Sequence, residues 1–182
     1  MVIVITGPIA SGKSTVARAL NRELAGLNIR AAVIDLDILE DMLTADGPKS
    51  DAASWSVARH AAATLANTFL SAGVAVVIAD GSFNLASDRA AFEKHLDTQV
   101  SPLYVTLRVT YEEALRRAQS DPTRGVSRDP AFLGGYFAAA TRASANLPAT
   151  DIVIESESVS PTAAAAAIAQ IVRQGQERVT SG

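Results

Sequence analysis

Residues Gly7 to Thr15 read GPIASGKST and match G-x-x-x-x-G-K-[ST], the Walker A pattern of a phosphate-binding loop (P-loop). Each position has a chemical reason. Gly7 and Gly12 let the backbone curl, and Pro8, Ile9, Ala10 and Ser11 form the arch between them, so that N–H groups converge on phosphate oxygens. A helix starting near Gly12 adds the positive end of its dipole. Lys13 has the length to reach the β- and γ-phosphates of a nucleotide, and the Ser14 hydroxyl, followed by Thr15, suits Mg²⁺. A Gly-Ser turn before a helix with a surface lysine is the plain alternative. The apolar run Val2-Ile3-Val4-Ile5 directly before the motif supplies the strand-then-helix setting and favours the phosphate loop.

Further groups suited to phosphoryl chemistry follow in the chain. Asp35-Leu36-Asp37 sets two carboxylates two residues apart. One could hold the hydration shell of Mg²⁺ and the other orient or deprotonate a hydroxyl. Capping of the helix that enters at Leu36 competes for Asp35, whereas Asp37 falls inside the first turn and is favoured as the acid–base group. Asp80-Gly81 ends another apolar run and offers either a metal-binding carboxylate or an Asx turn. The segment YEEALRRAQSDPTRGVSRDP, Tyr111 to Pro130, begins as a helix and breaks at Asp121-Pro122. Its arginines 116, 117, 124 and 128 could close over phosphates. Pairing with Glu112 and Glu113 along the helix accounts well for Arg116 but less well for Arg124 and Arg128.

The elements that would position these groups alternate in type. Strands are predicted at residues 2–6 (β1), 31–34 (β2), 74–79 (β3), 103–109 (β4) and from Ile152 (β5). Helices are predicted at 13–25, 36–43, 52–71, 86–96, 111–119, 130–145 and 161–174, and the polar tail 176–182 is expected to fray. Strands apolar on both faces and separated by helices indicate an α/β fold with a parallel sheet covered on both sides. In such a sheet ligands bind beyond the carboxyl ends of the strands, where these motifs fall. The 182 residues suit a single domain, 48% hydrophobic and 19% charged. A net charge of −3 gives no electrostatic case for nucleic acid as a partner. Cysteine is absent, which removes thiol chemistry and fits a cytoplasmic protein. The apolar N-terminal run is too short for a membrane span.

Together these parts resemble small P-loop kinases of the shikimate kinase and gluconate kinase type, and more closely the chloramphenicol phosphotransferase-like group, over residues 2–172. GPIASGKST resembles their phosphate loop, and VIDLD, Val33 to Asp37, their two acids separated by one residue. VVIADGSF, Val76 to Phe83, resembles the acidic strand end of the chloramphenicol enzyme. DIVIESESVSP, Asp151 to Pro161, resembles the late strand and loop that cradle adenine. The resemblance implies a three-layer P-loop NTPase fold with sheet order 2-3-1-4-5 and an arginine-bearing lid at about 120–130. It implies Asp37 as base or acceptor anchor, Arg117 against adenine, Arg124 near the phosphates, and Ser156 and Ser158 beside the base. Shikimate itself fits poorly. Asp80-Gly81-Ser82 replaces a glycine-rich stretch, and Asn146-Leu147-Pro148 stands where those kinases carry a substrate-binding arginine.

The expected function is therefore transfer of the γ-phosphate of ATP to a hydroxyl of a small molecule, with Lys13, Arg124 and Asp37 as catalytic groups. Ser14, Asp35 and Asp80 are the expected Mg²⁺ neighbours. An acceptor region is expected at about 38–70. Trp55, Arg59, Phe83 and Arg128 are candidate acceptor contacts beside Asp37, and Asn84 could also touch the acceptor. Core packing competes as an explanation for Trp55. A nucleotide-dependent regulatory switch and a nucleotide or polynucleotide kinase are the alternatives. The absence of an N-K-x-D motif counts against the first, and the acidic balance against the second.

Overall fold

A computed structural model describes residues 1–44, 51–144 and 149–180; Asn146, Leu147 and Pro148 lie outside the described residues. Its strands are β1 (Val2–Thr6), β2 (Ala31–Asp35), β3 (Val76–Asp80), β4 (Leu103–Arg108) and β5 (Ile152–Glu155). Its α-helices are α1 (Lys13–Gly26), α2 (Leu36–Thr44), α3 (Ala52–Ser71), α4 (Ala86–Glu93), α5 (Tyr111–Ser120), α6 (Pro130–Ser144) and α7 (Pro161–Thr180). A short 3-10 turn spans Val126–Arg128.

The strands form one parallel sheet in the order β2-β3-β1-β4-β5, as expected. Alternation along β1 divides the interior in two. Ile3 and Ile5 face a core built with α1 and α7, where Leu20, Leu24 and Ile168 are fully buried. Val2 and Val4 face the opposite core, with Ala58, Ala62, Ala63 and Ala66 of α3 and Phe92 of α4. Covering both faces requires every residue of β1 to be apolar or internally bonded, and all five are buried. The alanine row of α3 lets that helix lie close to the sheet. A third cluster joins Ala10 of the phosphate loop to Ala114, Ala118 and Leu133, and so docks α5 and α6 on that loop.

Three boundaries differ from the sequence expectation by more than one residue. β3 begins at Val76 rather than Val74. The Gly73 N–H donates to the Leu70 carbonyl and the Val74 N–H to that of Phe69. These bonds close the end of α3 with Gly73 left-handed (φ 81°), so Val74 still belongs to the helix cap. α4 ends at Glu93 rather than residue 96, because His95 and Leu96 donate three residues back, to Phe92 and Glu93. The His95 carbonyl instead accepts from Asn67 Nδ2. α7 continues to Thr180 where fraying was expected. Gln176, Glu177 and Arg178 are good helix formers and propagate a helix already nucleated on the core.

Candidate active site

Backbone geometry builds the phosphate side. Gly7 has φ 151°, and a Cβ there would lie 2.5 Å from the Leu107 carbonyl oxygen. Ala10 is left-handed at φ 61°, and Gly12 at φ 95° opens α1 with no side-chain cap. The first-turn N–H groups of α1 are thus left for an anion. Lys13 Nζ donates to the carbonyls of Gly7 (3.1 Å) and Pro8 (3.2 Å), which holds it across the loop. Burial lowers its pKa, against the opposing pull of Asp37 and Asp80. The Ser11 hydroxyl is buried and has no hydrogen-bond partner among the described residues.

Asp35 and Asp80 are register partners at the ends of β2 and β3. Their environments differ. Asp35 Oδ1 accepts from the N–H groups of Asp37 (3.0 Å) and Ile38 (3.4 Å), so this oxygen caps α2. Asp80 is 2% exposed and bonded to Ser14, and its Oδ1 has no partner among the described residues. Burial pushes its carboxyl up to about 6, with Ser14 opposing the rise. Gly81 permits this strand exit, since a Cβ there would lie 2.5 Å from Leu36 Cβ. A buried carboxylate oxygen without a donor, beside a serine hydroxyl, is a donor set that fits a hard cation such as Mg²⁺.

Asp37 stands in the first turn of α2, open to the cleft, with no side-chain hydrogen bond among the described residues. Burial raises its pKa and Lys13 pulls it down; Asp35, Asp41 and Glu40 add to the rise. On the far side of the loop, Arg117 Nη2 donates to the Ser156 carbonyl (2.7 Å) and Nη1 to the Ser156 hydroxyl (3.1 Å), while Nε donates to Glu113 (2.7 Å). Hydrogen bonds from Arg116 and then Arg117 pull the Glu113 carboxyl down to about 2. Arg117, Arg124, Thr15, Ser156 and Pro161 border a cleft of about 230 Å³. Arg124 pairs with Asp121 at 3.3 Å and acts electrostatically on Lys13.

Other candidates fall elsewhere. Ser158 turns its hydroxyl to the Glu155 carbonyl and faces the groove between β5 and α7 instead. Phe83 is fully buried, edge-on to Phe92, because the strand exit turns it into the core. Arg59 is 7% exposed, and its Nη2 bonds Asp88 (3.0 Å) and the Ser82 carbonyl (2.9 Å), which turns that nitrogen onto the protein's own acceptors. Trp55 packs on the same core beside the Arg59 guanidinium. Arg128 is exposed in the 3-10 turn. Tyr136 was not singled out from sequence. It stands on α6 among alanines and glycines, yet its phenol meets Asn84 Nδ2 at 3.2 Å. No local pattern marks it, because its partners come from loops some fifty and more residues away.

A family model described as "AAA domain" matches residues 2–128. No curated protein matches the sequence. The APS kinase of Mycobacterium tuberculosis, solved with AMPPNP and APS, is 22% identical with a TM-score of 0.67, covering 94% of this chain and 96% of its own. Shikimate kinase from Aquifex aeolicus is 19% identical (TM-score 0.61; 97% and 98% covered). A sugar kinase from Janibacter sp. HTCC2649 is 16% identical (TM-score 0.66; 95% and 94% covered). At these identities the likeness is one of fold.

Proposed function

The chain belongs to the AAA-domain family, and on that footing we propose that it is an ATP-dependent phosphotransferase acting on a hydroxyl of a small molecule. The observation that carries this reading is the meeting of two unlike sets of groups at the strand ends. Uncapped N–H groups and Lys13 line one side, and Asp37 stands open on the other, with Asp80 buried between them beside Ser14. A site that only held a nucleotide would have no use for the open carboxylate of Asp37.

In this reading the loop N–H groups and Lys13 hold the β- and γ-phosphates, Arg117 and Ser156 flank the base, and Arg124 approaches the phosphates from the lid. Ser14 and Asp80 would hold Mg²⁺, with Asp35 behind them. The ion, when bound, neutralises phosphate charge. Asp37 orients the acceptor hydroxyl and takes its proton as the acceptor oxygen bonds to the γ-phosphorus. The bond from that phosphorus to the β–γ bridging oxygen breaks, and ADP leaves with the electron pair. A carboxyl made more basic than usual suits that proton transfer. The full 182 residues act as one kinase domain, with the lid at 120–130 and the acceptor region within 38–70. Among kinases we read it as close to the chloramphenicol phosphotransferase-like group, working in the cytoplasm. No helix among the described residues is long and apolar enough to cross a membrane.

The test is Mg·ATP-dependent ADP release against antibiotics, sugars, sugar acids, nucleosides and nucleotides, with Lys13→Ala as control. An acceptor that stimulates release in the unchanged protein and gains a phosphate by mass establishes the reading. ATP binding with no stimulation by any acceptor class removes it.

A further inference from the structure

A chain of hydrogen bonds with a fixed direction runs from β1 to α6. The Phe83 N–H donates to Thr6 Oγ1 at 3.1 Å. Thr6 is 1% exposed, so its own hydroxyl proton needs an acceptor, and Asn84 Oδ1 lies 3.2 Å away. With its oxygen toward Thr6, the Asn84 amide turns its NH₂ toward Tyr136, where Nδ2 donates to the phenolic oxygen at 3.2 Å. The phenol therefore accepts, and the partner it has among the described residues is a donor. Its own O–H is left to donate elsewhere. Burial raises the phenol's pKa above the usual tyrosine value, so the proton stays on. Tyr136 is only partly buried and lies within the electrostatic reach of Asp37.

We propose that Tyr136 is a specificity-determining contact of the acceptor, donating its O–H to a second, uncharged oxygen close to the hydroxyl that Asp37 receives. Thr6 and Asn84 are positioning residues that turn this proton outward. The inference rests on the phosphotransferase reading for the role of Asp37. It narrows the acceptor to diols, hydroxy-ethers and hydroxy-carbonyl compounds. The second oxygen is uncharged because Asp35, Asp41 and Glu40 act on Asp37 as like charges, while Lys13, which opposes them, is held by the loop carbonyls on the phosphate side. An acceptor with an anionic group there would meet repulsion.

The experiment loads the full chain with Mg²⁺ and AMPPNP and titrates cyclohexane-1,2-diol, cyclohexane-1,3-diol and cyclohexanol, read by NMR shift changes. Binding needs no turnover, so a failed kinase reading, seen as absent ADP release, is distinguishable from failure here. The unchanged protein should prefer at least one diol over cyclohexanol by about threefold to tenfold, the range of one neutral hydrogen bond. Tyr136→Phe should abolish that preference and leave AMPPNP affinity within twofold. Asn84→Asp offers Tyr136 an acceptor, draws its proton inward, and should abolish the preference with the phenol still present. Equal affinity for diols and cyclohexanol in the unchanged protein, or no measurable affinity for any of them, overturns the inference. A diol preference that survives in Tyr136→Phe overturns it too, as does a Tyr136→Phe effect confined to AMPPNP affinity.

Discussion

The two sides of the cleft are built in opposite ways. The nucleotide side is made by contiguous chain. Nine residues supply the arch, and their own carbonyls hold Lys13 in place. Its cations are displayed: Arg117 is braced by Glu113 and Ser156, and Arg124 lines the cleft. The proposed acceptor side is assembled from α2, the turn after β3 and α6. The buried arginines of the neighbouring α3 and α4 face inward, Arg59 onto Asp88 and Arg89 onto the Ala149 carbonyl and the Tyr104 ring, while Asp37 is exposed. The difference teaches that residue type alone misleads on the acceptor side. The two buried arginines are struts, and in the proposed reading the polarity of the acceptor site is set by the carboxylates and by Tyr136.

Arg59→Leu gives the largest expected effect and tests the strut directly. Breaking a buried pair leaves Asp88 uncompensated, so unfolding in denaturant should show a loss of about 3 kcal/mol, with the acceptor KM unchanged. A raised KM at unaltered stability would return Arg59 to the acceptor site.

Asp80 comes next. Its folded pKa, about 6, lies above the ordinary carboxylate value, so its contribution to stability is full below about pH 4 and is lost as pH rises through 6. Asp80→Asn should therefore stabilise the nucleotide-free protein at pH 8 by roughly 3 kcal/mol and flatten its pH dependence. Mg·ATP-dependent turnover should fall at the same time. Destabilisation at pH 8 would contradict a buried carboxylate awaiting a cation.

Asp37→Asn should lower acceptor-dependent turnover by about 10²-fold while ATP affinity holds, as measured by kcat against the nucleotide Kd. Equal losses in both would erase the division between the two sides. The smallest effect is expected for Arg117→Met. It should raise the KM for ATP about tenfold through lost charge-assisted hydrogen bonds, with the acceptor KM constant.

Particular residues show how much was legible beforehand. The phosphate loop could be read because one short stretch fixes its own backbone: Gly7 and Gly12 are required by local geometry, and Lys13 bonds carbonyls five and six residues back. Strand order followed from resemblance, and both faces of β1 were apolar in the sequence itself. Asp35 was open between cap and metal neighbour, and its Oδ1 caps α2. Phe83 was a candidate acceptor contact because it follows the acidic strand end, and Arg59 because it lies in the expected acceptor region and could bind an anionic group, but both side chains are buried.

The sequence by itself determined the alternating strands and helices, the anion-binding loop and the acidic strand ends. Those features depend on side-chain period and on bonds between near neighbours in the chain. Only the tertiary structure decided which carboxylate keeps an oxygen without a partner among the described residues, which arginines are displayed and which are struts, and that the Tyr136 phenol meets Asn84. Each of those outcomes depends on contacts between distant segments, such as Phe83 with Thr6 or Tyr136 with Asn84. A buried polar group takes its role from whatever partner the fold brings to it.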